Sequence, residues 1–123
     1  WDDIDPWKWY EELKPYRGDL REIDHKGGYW VNVLVDDDLV VAGLVPMVTQ
    51  IQLRSTWNLV SFPSFSTAFT VADLKAAVGA EKVEVYDPAA PYCLRFLLDS
   101  DTLTAGYGYW IYVSADTMWN VAQ

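Results

Sequence analysis

Between residues 47 and 53 the chain alternates, with Met47, Thr49, Ile51 and Leu53 on one side and Val48, Gln50 and Gln52 on the other. A period of two belongs to a strand, so this segment predicts a strand with one wet face. Arg54-Ser55-Thr56 interrupts the pattern and turns the chain into a second strand over residues 57–62. The period changes over 70–78. Val71, Leu74 and Val78 share one side of a helix, Thr70 and Asp73 make a variant of the capping box, and Gly79 is a natural stop. Residues 83–86 predict a strand broken by Asp87-Pro88, 92–98 another, and 109–113 with 118–122 a hairpin. Earlier in the chain, the aromatic run Trp7-Lys8-Trp9-Tyr10 suits a short strand. Glu11 to Lys14 turns helical and stops at Pro15. Gly27-Gly28 is a turn, and residues 29–35 and 39–42 form a hairpin around Asp36-Asp37-Asp38. The expected fold class is α+β, mainly antiparallel β, with duplicated hairpins and at least one packed helix at 70–78.

The duplication is read from the residues themselves. At a constant offset of 80, Gly28-Tyr29-Trp30-Val31 falls on Gly108-Tyr109-Trp110-Ile111. Val33 then meets Val113, Asp36 meets Asp116, Val41 meets Val121 and Ala42 meets Ala122, with no gap. Asp5-Pro6 matches Asp87-Pro88 at an offset of 82. Self-similarity of this kind is the mark of a repeat. Residues 1–123 are expected to form one domain of two repeat-derived halves, a partial repeat at 1–46 and a full one at 47–123. The first half carries no counterpart of Trp57-Asn58-Leu59-Val60 or of the helix, and the chain opens on Trp1 without an initiator Met. Both suggest an excised piece of something longer.

Composition narrows the function classes. A hydrophobic share of 51% can bury enough surface to order the chain. The net charge of −9 disfavours nucleic acid, which needs a basic footprint, and anionic membrane surfaces likewise. No run approaches the roughly 20 apolar residues of a membrane helix, so this segment is not expected to insert. Seven Trp and eight Tyr suit a sheet core, or a face that stacks on sugar rings.

The motifs Trp57-Asn58-Leu59-Val60-Ser61-Phe62-Pro63, Thr70-Val71-x-Asp73-Leu74 and Gly106-x-Gly108-Tyr109-Trp110-Ile111-x-Val113 carry a resemblance. They are similar to a repeat module of archaeal and bacterial surface proteins, including S-layer-like chains and some secreted hydrolases. In those proteins a "GWNLVSFP" strand, a "TVADLL" helix and a "GxGYWIYV" strand recur. The likeness covers 51–123 well, and 1–43 as the latter part of a preceding repeat. Thr56 stands where the module has Gly. The resemblance implies an extracellular, non-catalytic module whose partners are neighbouring repeats or other surface proteins.

Candidate chemistry is thin. His25 is the single histidine and Cys93 the single cysteine, so a Ser-His-acid triad would have to use His25, and zinc has too few ligands. His25 reads as a surface residue, and Cys93 as a small buried hydrophobe. Calcium is the one cofactor to weigh. Asp2, Asp3 and Asp5, then Asp36, Asp37 and Asp38, then Asp99 and Asp101 cluster, but none forms the spaced calcium loop, and they read as solvated turns. Trp30 and Trp110 are expected in the core, with Tyr29 and Tyr109 on the opposite face. Trp57, Gly28 and Gly108 complete the structural motif. Trp1, Trp7 and Trp9 either stack on carbohydrate or cover the open end of the first half. A structural or adhesive surface module is thus expected, and a carbohydrate-binding module attached to a secreted enzyme is the alternative.

Overall fold

The alternation at 47–53 becomes β1 (Val48–Leu53), whose Thr49, Ile51 and Leu53 are buried while Val48, Gln50 and Gln52 face solvent. The computed structural model describes residues 20–123, so the elements expected before residue 20 lie outside the described residues. After a two-residue break the chain continues as β2 (Thr56–Ser61), burying Asn58 and Val60, with Phe62 just beyond. The helix α1 (Val71–Val78), β3 (Ala80–Tyr86), a 3₁₀ turn at Pro91–Cys93, β4 (Leu94–Phe96), β5 (Gly108–Val113) and β6 (Thr117–Ala122) follow. Among the described residues the fold is mainly antiparallel β with one α-helix, as the residue pattern indicates.

The pairing departs from the hairpin expectation. β5 and β6 do not pair with each other. β1 lies antiparallel to β6, from Val48 opposite Ala122 to Leu53 opposite Thr117. β2 lies antiparallel to β5, from Thr56 opposite Val113 to Ser61 opposite Gly108. Residues 48–61 and 108–122 therefore form one two-stranded ribbon that bends once. β1 and β6 make a two-stranded sheet, and the other limb belongs to a four-stranded sheet ordered β2-β5-β3-β4. A period of two identifies strands but carries no information about which strand lies alongside, and 114–116 is a corner rather than a hairpin turn.

Inside the bend, the inward residues of both limbs form one core with Val83, Val85 and the helix. Each buried aliphatic side chain contributes about 1.5–3 kcal/mol. Trp119 on β6 stacks with Phe62 (6.1 Å between centroids), and Phe62 with Phe69 (5.3 Å). The helix closes this core with Val71, Leu74 and Val78. Its start is the anticipated capping box: the Thr70 hydroxyl accepts from the Asp73 amide, and the Asp73 carboxylate accepts from the Thr70 amide. Two further first-turn amides, of Val71 and Ala72, donate to Asp101 and Asp99 carbonyls. Gly79 ends the helix at φ 68°, a left-handed conformation that glycine adopts without a Cβ penalty.

Several expectations need correction. Residues 29–42 form no hairpin; they bend at Leu34-Val35, lie exposed and belong to neither sheet. Tyr109 and Trp110 exchange their expected faces. Tyr109 is buried with Ile111 and Val113, which share its side of β5, and Trp110 points outward half-buried. Trp30 is 58% exposed, whereas Trp119 is 1% exposed and is the tryptophan that fills the core. Cys93 is exposed, because its turn leaves it outside both sheets. The strand expected at 92–98 shrinks to β4, since Tyr92 and Cys93 both take φ 58°.

These placements separate the tryptophans energetically. Trp119→Ala should lower stability by about 3–5 kcal/mol, as large buried aromatic truncations do. Trp30→Ala should move a denaturant midpoint little, within about 1 kcal/mol, as surface substitutions do. Equal losses in the two urea melts would contradict the assignment.

Candidate functional site

The motif residues converge on the bend of the ribbon. A strand leaving one sheet for another frees backbone groups that a continuous ladder would pair, and buried unpaired groups cost about 1–3 kcal/mol each. Asn58, fully buried, takes them up. Its Oδ1 accepts from the Arg54 amide at 2.9 Å. Its Nδ2 donates to the carbonyls of Arg54 (2.9 Å), Thr56 (3.1 Å) and Ile111 (3.3 Å). One side chain thus ties both sides of the corner on β2 to the neighbouring strand β5. Asp116, on the opposite side of the ribbon, accepts from the Ser55 amide at 2.8 Å and from the Arg54 guanidinium at 3.1 Å. Ser55 also donates its hydroxyl to the Ser114 carbonyl. The Ser55 amide first, and Arg54 second, hold the Asp116 carboxyl below the usual carboxylate range. Thr56 has φ 93°, a region costly for a β-branched residue. That is the position where the resembled module has Gly.

The matched residues of the first half can now be compared site by site. The Thr104 amide donates to the Tyr109 hydroxyl at 2.8 Å, and the Asp24 amide donates to the Tyr29 hydroxyl at 3.0 Å. These are the same bond at an offset of 80. The two chains diverge beyond it. Ile111 and Val121 are 0% and 4% exposed, whereas Val31 and Val41 are 75% and 79% exposed. Before diverging, residues 26–28 run along the free edge of β2. The Gly28 amide donates to the Leu59 carbonyl, and Ser61 donates to the Lys26 carbonyl. A Cβ on Gly28 would fall 2.8 Å from Leu59 Cδ1, so any side chain here would have to displace Leu59. Gly108 lies directly against it, with its Cβ position 3.5 Å from Gly28 Cα.

The outward face of the four-stranded sheet is the second surface of interest. Its register sets Trp57 beside Tyr112, Leu59 beside Trp110, and Trp110 beside Glu84. Trp57 meets Tyr112 edge-on at 5.3 Å, and Lys82 Nζ lies 6.0 Å from the Tyr112 ring centre. Trp57, Trp110 and Tyr112 are all partly exposed. Trp30 packs edge-on against Tyr86 at 5.2 Å, at the margin of the same sheet.

The remaining candidates lie apart from one another among the described residues. His25 Nε2 lies 3.2 Å from Thr49 Oγ1 in an open recess of about 300 Å³, lined also by Lys26, Pro46, Val48 and Gln50. Neither serine nor carboxylate lines it, and the contact ties a loop to β1. Among the described residues, no three His, Cys, Asp or Glu gather as a metal site. Asp99 pairs with Lys75, and Asp101 caps the Leu98 amide and faces Arg95. Asp37 accepts from the Asp38 amide. Asp2, Asp3, Asp5, Trp1, Trp7 and Trp9 lie outside the described residues. Sequence reasoning did not single out Asn58 or Asp116 as corner residues. The available signal was an Asn inside an apolar strand, next to a break that lacks hairpin turn residues.

Comparisons with protein-family models, curated proteins and solved structures return no match.

Two tests follow from the corner. Asn58→Ala leaves the Arg54 amide and three carbonyls without this partner and should cost about 1–3 kcal/mol, while Thr56→Gly should gain about 1 kcal/mol by relieving the positive φ. Urea midpoints moving in the same direction for both would contradict this account. Acidification supplies the second test. A depressed carboxyl stabilises fully above its unfolded pKa, about 3.9, and that stability is lost as pH falls through the lower folded value. Thermal midpoints should therefore drop below about pH 4, and drop less steeply in Asp116→Asn. An identical pH profile for the variant would remove Asp116 from the mechanism.

Proposed function

We propose that this chain is a non-catalytic structural or adhesive module of a larger cell-surface or secreted protein, working outside the cell beside neighbouring repeats. The observation that carries the reading is the contrast between two matched segments. Residues 109–122 are locked into a bent ribbon, while 29–42, with the same apolar positions, present them to solvent. Apolar strand positions of this kind are what a stacked repeat covers with its neighbour. The motif residues support the same reading, because Asn58, Tyr109, Val113, Leu74 and the Thr70–Asp73 cap all serve packing or backbone satisfaction. The net charge of −9 keeps such a surface soluble and argues against nucleic acid. No helix among the described residues is long and apolar enough to cross a membrane.

A second reading, carbohydrate binding, is favoured by one observation: Trp57, Trp110 and Tyr112 share the outward sheet face and are partly exposed. Aromatic faces of this kind present apolar area with a polar rim, which suits sugar rings.

The mass of the mature polypeptide in its native source tests the first reading. A product carrying further copies of the motifs is expected; a monomeric mature chain of only 14.0 kDa would overturn it. The second reading predicts retardation in glycan affinity gels that weakens by about tenfold in Trp57→Ala, one stacking contact being worth roughly 1–2 kcal/mol. Unretarded migration on every polysaccharide would remove it.

A further inference from the structure

The inward positions of β5 and β6 are Tyr109, Ile111, Val113, Trp119 and Val121, all buried. At an offset of 80 these are Tyr29, Val31, Val33, Leu39 and Val41, each large and apolar, and each exposed. The corner residue Asp116, which accepts from Ser55 and Arg54, has its counterpart in Asp36. The loop leading into the segment already makes the bond that precedes β5, from the Asp24 amide to the Tyr29 hydroxyl. Residues 29–42 thus carry the apolar side chains and the corner carboxylate of half a ribbon, and no described strand pairs with them.

From this we propose that residues 29–42 are an acceptor for a strand–corner–strand segment of the β1–β2 kind. Such a segment supplies alternating inward residues like Thr49, Ile51 and Leu53, an Arg-Ser corner that donates to Asp36, and a buried Asn like Asn58. Its Asn would donate to the carbonyl of Val31, the residue matching Ile111. The occupant is a segment not already paired. A second copy of this chain does not qualify, because its β1 and β2 are engaged along six residue pairs each by its own β6 and β5. Two strands, two rows of backbone bonds and a charged corner make this β-augmentation, in which main-chain bonds give affinity and alternate side chains give specificity. The corner sets register as well, since a slip of one residue would turn every inward side chain outward and misplace Asp36.

The inference rests on the module reading above, and the two are separable. Flanking repeats in the native polypeptide test that reading, whereas the acceptor is tested on the chain itself. The probe is a synthetic peptide of residues 47–63, added to the full chain and followed by calorimetry and amide hydrogen exchange. One peptide per chain should bind, slowing exchange over 29–33 and 37–42 while leaving β1 to β6 unchanged. A peptide with Asn58→Ala should bind about tenfold more weakly, and so should the native peptide to an Asp36→Ala chain. The double variant Val31→Asp/Val41→Asp should lose binding yet melt like the parent, since both residues are exposed. The proposal falls if no peptide binds or if the double variant binds equally well. It falls also if the chain alone self-associates and protects 29–42, which would make a second copy the occupant.

Discussion

A ribbon of two strands can turn from one sheet into another only if the backbone groups freed at the bend find partners. In this protein one amide side chain does most of that. Asn58 is buried beside Ile111 and Val60, where an unsatisfied polar group would be most costly, and it engages one amide and three carbonyls. Asp116 completes the outer side of the same corner through Ser55 and Arg54. The exposed Arg54–Asp116 ion pair itself contributes little. What matters is that the carboxylate accepts the Ser55 backbone amide across the ribbon, which ties the two paired segments together at the bend.

The rest of the core depends on that bend. Because β1–β6 is folded back over β2–β5, Ile51, Leu53, Trp119 and Val121 face Val60, Tyr109, Ile111 and Val113. Helix α1 is then needed only to close the open side, and it touches β3 and β6. Its capping box, its left-handed stop at Gly79 and the two loop carbonyls that receive its first amides leave it satisfied at both ends. No buried side-chain polar atom among the described residues lacks a partner. The opposite face of the four-stranded sheet carries Trp57, Trp110 and Tyr112 partly exposed, so the sheet is asymmetric: dry inside, wet outside.

The same asymmetry separates the two matched segments. Tyr29 and Tyr109 make the same bond to an amide five residues back, because both partners are local and the segment carries all it needs. Val31 and Ile111 differ completely in burial, because their environment is supplied by distant strands, present for one and not for the other among the described residues. Matched residues therefore share a local hydrogen bond but not a strand environment.

That distinction marks what the sequence by itself determined. The period of two in Val48–Leu53, the helical spacing of Val71, Leu74 and Val78, the Thr70–Asp73 cap and the Gly79 stop were all legible, because their causes lie within a few residues. The fold class followed from them. Strand pairing was not legible. Gly108–Val113 and Thr117–Ala122 have the spacing of a hairpin, and only the corner shows that each pairs instead with a strand far back in the sequence, Thr56–Ser61 and Val48–Leu53. Nor was the choice of buried tryptophan, since alternation says which residues share a face and not which face is dry. Trp110 and Trp119 are equally apolar in sequence; the bend of the ribbon put Trp119 inside it and Trp110 on the outer sheet surface. Local propensity is written residue by residue, whereas pairing and burial are settled only when both partners occupy the same place.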